Sequence, residues 1–480
     1  MPSRLTALDA SFLFLDSEST PMHAGGLAIF TPGEGGLDLD RLQELVRQRL
    51  PFVPRYRQRV REVPLGIARP VWVDDEDFDV AFHVRRTALA KPGTREQLDE
   101  LVSRLMSRRL DRDHPLWELY LIEGLEDGQV AVLSKTHEAL VDGISAVDIA
   151  QVLLDDSPTT PPGPGDTWQP RREPNGVELL SEAVTEFAAR PAAVIDAMTK
   201  AVTDVQTVAS RVGERLMGAL STVAAVARPT PSSPLNVPVG STRSFATVEL
   251  PLGSFSRVRA VLGGSVNDAL LAVIAGALRS WLLARGQGVQ QGDILRAMLP
   301  VSIAVPSARG QAGGSRVAAT IVDLPVGEPD PAVRVQQVSY QMAQLEENDH
   351  FVGASSIADI AGFGPPTLHA LGARLGASLT RRVYNLVVTN VPGPQHPLYA
   401  AGSRMTAAYP VVPLGVGQAM SIGLTSYDGT VHVGLFADRE AVPDLDLVAT
   451  CIQESASELL ARVEERRRLR TVPSDEDPGL

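Results

Sequence analysis

Cysteine is almost missing from this chain, with Cys451 its single example. An internal disulfide is therefore excluded, and a reducing compartment suits the chain without being required. Lysine is nearly as scarce: Lys91, Lys135 and Lys200 are all there is, so arginine carries almost all the positive charge. The net charge of −13 argues against a nucleic-acid partner and against electrostatic adhesion to anionic lipid. No run reaches the roughly 18–20 apolar residues that a bilayer-spanning helix needs. Leu216 to Ala227 is too short, and Ala269 to Leu283 is interrupted by Arg279. No signal peptide is expected, because the N-terminus has no continuous apolar core before Asp9. Neither G-x-S-x-G nor G-x-x-x-x-G-K-[S/T] occurs, which disfavours a serine hydrolase and a P-loop ATPase. His83, His114, His350, His369, His396 and His432 show no metal spacing. His137-Glu138 begins like a zinc-protease HExxH, but position 141 is Val141. No metal is expected.

What is present is a soluble globular composition, 44% hydrophobic and 21% charged, in a chain of 480 residues, long enough for two domains. Arg41 to Leu50 and Arg95 to Leu110 read as amphipathic helices, with Leu42, Leu45 and Val46 on one apolar face and Leu98, Leu101 and Leu105 on the other. Ser157 to Pro174 is rich in Pro, Gly and Thr and reads as an exposed linker. Val177 to Ala227 reads as helices that either pack on the body or lie as a membrane-surface or lid element. Strands are expected at Ala318 to Leu324, Asn385 to Thr389 and Thr430 to Phe436, and a terminal helix at Val448 to Arg470. The division that follows is 1–156, a connector at 157–242, a second unit at 243–467 and a tail at 468–480.

The most informative segment is His137-Glu138-Ala139-Leu140-Val141-Asp142-Gly143. It follows the apolar, β-branched run Val130 to Thr136 and precedes Ile144 to Leu154, whose apolar residues recur at helical spacing. If the backbone is extended at 137 and 138, successive side chains point to opposite faces, so only one of the two can face a substrate. Glu138 is then either a solvated or paired carboxylate or a base. His137 is either a buried scaffold residue or the base itself. Asp142 is placed to cap the following helix, and Asn267 with Asp268 to cap another.

This motif resembles the HHxxxDG signature of the bacterial wax ester synthase/diacylglycerol acyltransferase family, with Glu138 at its second His. Leu8-Asp9-Ala10-Ser11-Phe12, Thr20 to Gly26, Pro115-Leu116-Trp117-Glu118 with Ile122 to Leu125, Asn267-Asp268, Leu295 to Ser302, Asn390 to Pro394, Ser426 to Gly429 and Ala437-Asp438-Arg439 resemble further family segments, in the family's order. The resemblance implies an α/β (α+β) chain of two chloramphenicol-acetyltransferase-like domains with mixed sheets and a tunnel between them. It implies an O-acyltransferase that moves a long-chain acyl group from acyl-CoA to a fatty alcohol or diacylglycerol, without a further cofactor. The alternatives are a catalytically degenerate acyl-CoA or lipid binder and an acyltransferase with another acceptor. In this frame Glu138 takes the general-base position, and His137 and Asp142 are architectural. Gly143 admits the thioester, Asn267 lies near the reaction centre, and His23 is core or tunnel wall. Arg296 is the candidate partner of Asp142. A free Glu, with a pKa of about 4.3, is a weak base unless burial in an apolar tunnel raises it. Glu138 is thus read as a working or a weakened base, and a poor base predicts a slow enzyme but not a dead one. The expected location is cytoplasmic, with membrane or lipid-droplet contact no more than peripheral.

Overall fold

Residues 2–140, 149–189, 230–304, 315–347, 352–353 and 383–471 are described, from a computed structural model. The first part runs β1 (Ser3–Arg4), α1 (Ala7–Leu15), β2 (His23–Thr31), α2 (Leu39–Arg49), β3 (Gln58–Arg61), β4 (Val71–Asp74), α3 (Val80–His83), β5 (Val84–Ala88), α4 (Arg95–Ser107), β6 (Trp117–Glu123), β7 (Val130–His137), α5 (Ile149–Val152) and α6 (Gly176–Ala189). The rest runs β8 (Arg243–Pro251), α7 (Leu252–Leu262), α8 (Val266–Ala284), β9 (Leu295–Ala304), β10 (Ser315–Leu324) and α9 (Pro331–Glu347). It ends with β11 (Val352–Gly353), β12 (Leu386–Pro392), β13 (Tyr399–Ala400), β14 (Ser403–Val411), β15 (Met420–Tyr427), β16 (Thr430–Asp438) and α10 (Leu445–Thr471). One sheet has the order β13-β14-β2-β7-β6-β5, a second β11-β10-β9-β12-β15-β16-β8, and a small one β1-β4-β3. Both large sheets are mixed: β5 runs parallel to β6, and β12 parallel to β9 and β15.

Several helices start where side-chain oxygens take the first orphan N–H groups. Thr94 and Gln97 form a capping box on α4, and Ser265 and Asp268 one on α8. α2 buries Leu42, Leu45 and Val46, the apolar face read from spacing. α8 corrects one reading. By length and composition it could cross a membrane, but 72% of its apolar window is buried inside the protein. Its Leu270, Leu271, Val273, Ile274, Leu278 and Trp281 lie in one core cluster with residues of the second sheet. Burial there, at roughly 1.5–3 kcal/mol for each large side chain, uses the hydrophobicity that a bilayer would otherwise take.

The pairing of β13 and β14 departs from the division at 243. These strands come from the second half of the chain but complete the first sheet, β14 lying antiparallel to β2 from Arg404 opposite Thr31 to Val411 opposite Gly25. Met405, Ala407 and Tyr409 are buried along it and join the first unit's clusters. The expected linker is mostly exposed, yet ion pairs pin it. Arg57 binds Asp166 and lies 4.9 Å from the Trp168 ring, Arg171 forks onto Asp74, and Arg59 binds Glu173. The arginine fork matches a carboxylate in two places at once, a use of the arginine bias that spacing did not reveal. Helical segments beyond 189 and the tail from 472 lie outside the described residues.

The two sheets meet at α4. Ser103 Oγ accepts from Phe245 N–H at 2.8 Å, Ser107 Oγ from Arg243 N–H at 3.0 Å, and Thr247 Oγ1 donates to Asp99 Oδ2 at 3.3 Å. Helix positions four apart rise about 6 Å and strand positions two apart about 6.8 Å, so this ladder closes the β8 edge in register. Burial pushes the Asp99 carboxyl from 3.8 up to about 7, against the pull of Arg95. A carboxyl raised in this way contributes stability below pH 3.8 that is lost as the pH rises towards 7. Asp99→Asn should therefore stabilise the protein by about 1–2 kcal/mol at pH 8 and by little at pH 5. Thermal melts at the two pH values check this. Equal shifts at both would refute it.

Candidate active site

β7 is buried along its whole length between β2 and β6, so the turn that ends it is rigidly presented. Each N–H of that turn is engaged. His137 N–H donates to Leu116 O at 2.9 Å, Glu138 N–H to Met22 O at 3.0 Å, and Leu140 N–H to His137 O at 2.8 Å. Ala139 N–H donates to His137 Nδ1 at 3.0 Å. Ala139 and Leu140 are buried anchors in the first core, whereas Glu138 between His137 and Ala139 is half-buried. The expected split between the faces is seen: His137 is 2% exposed.

Behind the turn, polar groups serve the C-terminal end of α4. His23, opposite His137 across β2 and β7, donates from Nε2 to Met106 O at 2.8 Å. Lys135 donates to Leu105 O at 3.1 Å and to Arg108 O, and faces Glu118 at 3.6 Å. Three carbonyls at the helix C-terminus are thus bonded by side chains, Leu105 O in addition to the bond it accepts from Arg108 N–H. Burial lowers both imidazoles, His137 to about 4 and His23 well below its ordinary value, and lowers Lys135 to about 8. His137 is therefore neutral near pH 7. Its Nδ1 lone pair is taken by Ala139 N–H, so the proton sits on Nε2, which has no partner among the described residues.

A second cluster comes from the other sheet. Asp268 caps α8 and accepts from Ser339 Oγ at 2.9 Å. Asn267 is not a cap: its Oδ1 accepts from Asn390 Nδ2 at 2.9 Å, joining two motif segments. Gly393 of the same segment is a close approach, since a Cβ there would stand 2.5 Å from Ser426 O. Asp142 and Gly143 lie outside the described residues. Arg296 is 5% exposed and its Nε reaches Asp323 at 3.2 Å.

Two mixed sheets, the first completed by strands from the second half of the chain, with a His-Glu turn at the end of a central strand, match the architecture expected of the chloramphenicol-acetyltransferase-like class. The catalytic-domain profile of wax ester synthase/diacylglycerol acyltransferases matches residues 5–270, and the profile of their C-terminal domain residues 313–460. The chain belongs to this family. A probable diacylglycerol O-acyltransferase of Mycobacterium tuberculosis is 46% identical over 261 residues, 54% of this chain and 96% of the relative. The solved wax ester synthase/diacylglycerol acyltransferase of Marinobacter aquaeolei is 27% identical, with a TM-score of 0.67 over 96% of this chain and 100% of that one. The first condensation domain of the CDA synthetase, at 14% identity and a TM-score of 0.57 over 96% of both chains, shares the fold. The chain is an acyl-CoA-dependent O-acyltransferase.

Proposed function

We propose that the enzyme transfers a long-chain acyl group from acyl-CoA to a fatty alcohol or diacylglycerol, with Glu138 as general base. The observation that carries the assignment is the state of His137, whose one lone-pair nitrogen already accepts from Ala139 N–H. To take an alcohol proton it would have to break that bond while neutral and buried. Glu138 is next to it, half-buried, and its turn is held by main-chain bonds. As the Glu138 carboxylate takes the hydroxyl proton, the oxygen attacks the thioester carbon. The tetrahedral intermediate then expels the CoA sulfur, and the proton returns to it as CoASH. No acyl-enzyme forms, because the motif offers a base but no Ser or Cys nucleophile. Main-chain N–H groups stabilise the oxyanion. Asn267, fixed by Asn390, lies near the reaction centre. Asp142 pairs with Arg296 and fixes the turn that Gly143 opens to the thioester.

We place the enzyme in the cytoplasm, in peripheral contact with membrane or lipid droplet. Support comes from α6, which packs on the turn Pro64–Gly66. Leu65, Val177 and Val184 on these elements are exposed. The test is thiol release from long-chain acyl-CoA with and without each acceptor. Release that depends on alcohol or diacylglycerol, with the corresponding ester as product, is the expected result. Tight acyl-CoA binding without turnover would replace this reading with that of a lipid carrier.

A further inference from the structure

Asp16, which no motif reading singled out, ends α1 as its C-cap and has a side chain only 5% exposed. Its Oδ2 accepts from Arg109 Nη2 at 2.5 Å and from Arg112 Nη2 at 2.7 Å. Arg112 is itself fixed, donating also to Leu13 O at 2.8 Å. The other oxygen, Oδ1, accepts from Met22 N–H at 3.1 Å. The Met22 carbonyl in turn accepts the Glu138 N–H at 3.0 Å. One residue, Met22, thus joins a clamped carboxylate to the main chain of Glu138 through its N–H on one side and its carbonyl on the other. The loop between is closed by mutual main-chain bonds of Ser17 and Thr20, and Arg243 of the second sheet donates to Ser19 O at 2.5 Å. Met22 therefore has little freedom apart from Asp16. Burial alone would raise the Asp16 carboxyl, but the two guanidinium groups hold it below the usual carboxylate range, so it stays ionised.

We propose that Asp16 is a positioning residue for the acyl transfer: clamped by Arg109 and Arg112, it sets the place of Glu138 through the main chain of Met22. This rests on Glu138 being the base. Asp16 touches no reacting group, and its effect passes through the turn. A misplacement of about 1 Å at a catalytic group can cost on the order of 10²-fold, so a main-chain relay of this kind has kinetic weight. The arginines supply what a lone C-cap would not. They fix one carboxylate oxygen in place, leaving the other to aim at Met22.

The test is a double-mutant cycle on the full chain, with acceptor-dependent thiol release as readout and a thermal melt of every variant. Asp16→Ala should lower kcat by roughly 10–100-fold and leave the KM for acyl-CoA little changed. In the Glu138→Gln background the same substitution should change turnover by less than about twofold, because coupled residues are not additive. Asp16→Asn keeps one accepting oxygen and loses the charge, so it should fall between wild type and Asp16→Ala. It takes over the cycle if Asp16→Ala does not fold. An equal loss in both backgrounds, or no loss in a folded variant, overturns the proposal and leaves a plain helix cap. Wild-type turnover in the single Glu138→Gln variant instead refutes the base assignment, so the two failures are told apart.

Discussion

Glu138→Gln should lower acceptor-dependent thiol release by roughly 10²–10⁴-fold, the usual contribution of a positioned general base. The substitution is nearly isosteric and removes only the ability to take a proton. The turn around it should survive, because Glu138 N–H, Ala139 N–H and Leu140 N–H are bonded through the main chain and through His137, none of which involves the Glu138 side chain. A loss of kcat at unchanged melting temperature is therefore the expected signature. Glu138→His goes the other way. Imidazole has a pKa near 6.5 and so combines an available lone pair at pH 7.5 with more basicity than an ordinary carboxylate. Turnover should rise above wild type at pH 7.5–8 and be lost as the pH falls through about 6.5. His137 will not blur that profile, because burial has lowered it to about 4 and it stays neutral over the whole range. Undiminished turnover in Glu138→Gln would move the proton to another acceptor and leave this turn architectural.

Much of this was readable in the chain because the relevant signals are local. The apolar run at 130–136, the faces of α2 and α4 and the apolar segment after Asn267 are periodic within a dozen residues, and the sheets and helices appear there. The alternation across His137 and Glu138 is also local, and it separated a buried side chain from a half-buried one. What stayed hidden depends on contacts between residues far apart in sequence. Asp16 stands 122 positions before Glu138 and reaches it through a main-chain carbonyl, which has no side-chain signature. Lys135 and His23 look like isolated polar residues in apolar strands until α4 presents its C-terminal carbonyls to them. Membership of β14 in the first sheet could not be read either. Its alternation fits any half-buried strand, and only pairing with β2 says which sheet receives it.

That crossing strand makes the second large prediction. Gly423 and Gly434 face each other across β15 and β16, and Pro410 of β14 lies over both. A Cβ at 434 would stand 1.9 Å from Pro410 O, and one at 423 would stand 2.7 Å from Pro410 Cβ. The first clash is with main chain, which cannot swing aside as a side-chain tip can. Gly434→Ala must push β14 off the second sheet, and β14 is bonded to β2, whose His23 pairs with His137 at the motif. The cost should lie at the upper end for overpacking, about 3 kcal/mol, a large part of the roughly 5–15 kcal/mol that holds a protein folded. Turnover should fall with it, because the displaced strand lies two strands from the Glu138 turn in the same sheet. Gly253→Ala is the matched control. It makes the same chemical change in the first turn of α7, where nothing lies within 4 Å of the new methyl group, and Ala is the better helix former by up to about 1 kcal/mol. Denaturant titration should therefore show Gly434→Ala strongly destabilised and Gly253→Ala unchanged or slightly stabilised. If Gly434→Ala unfolds at the wild-type midpoint with full activity, Pro410 does not press on β16, and the two sheets are not locked together at that crossing.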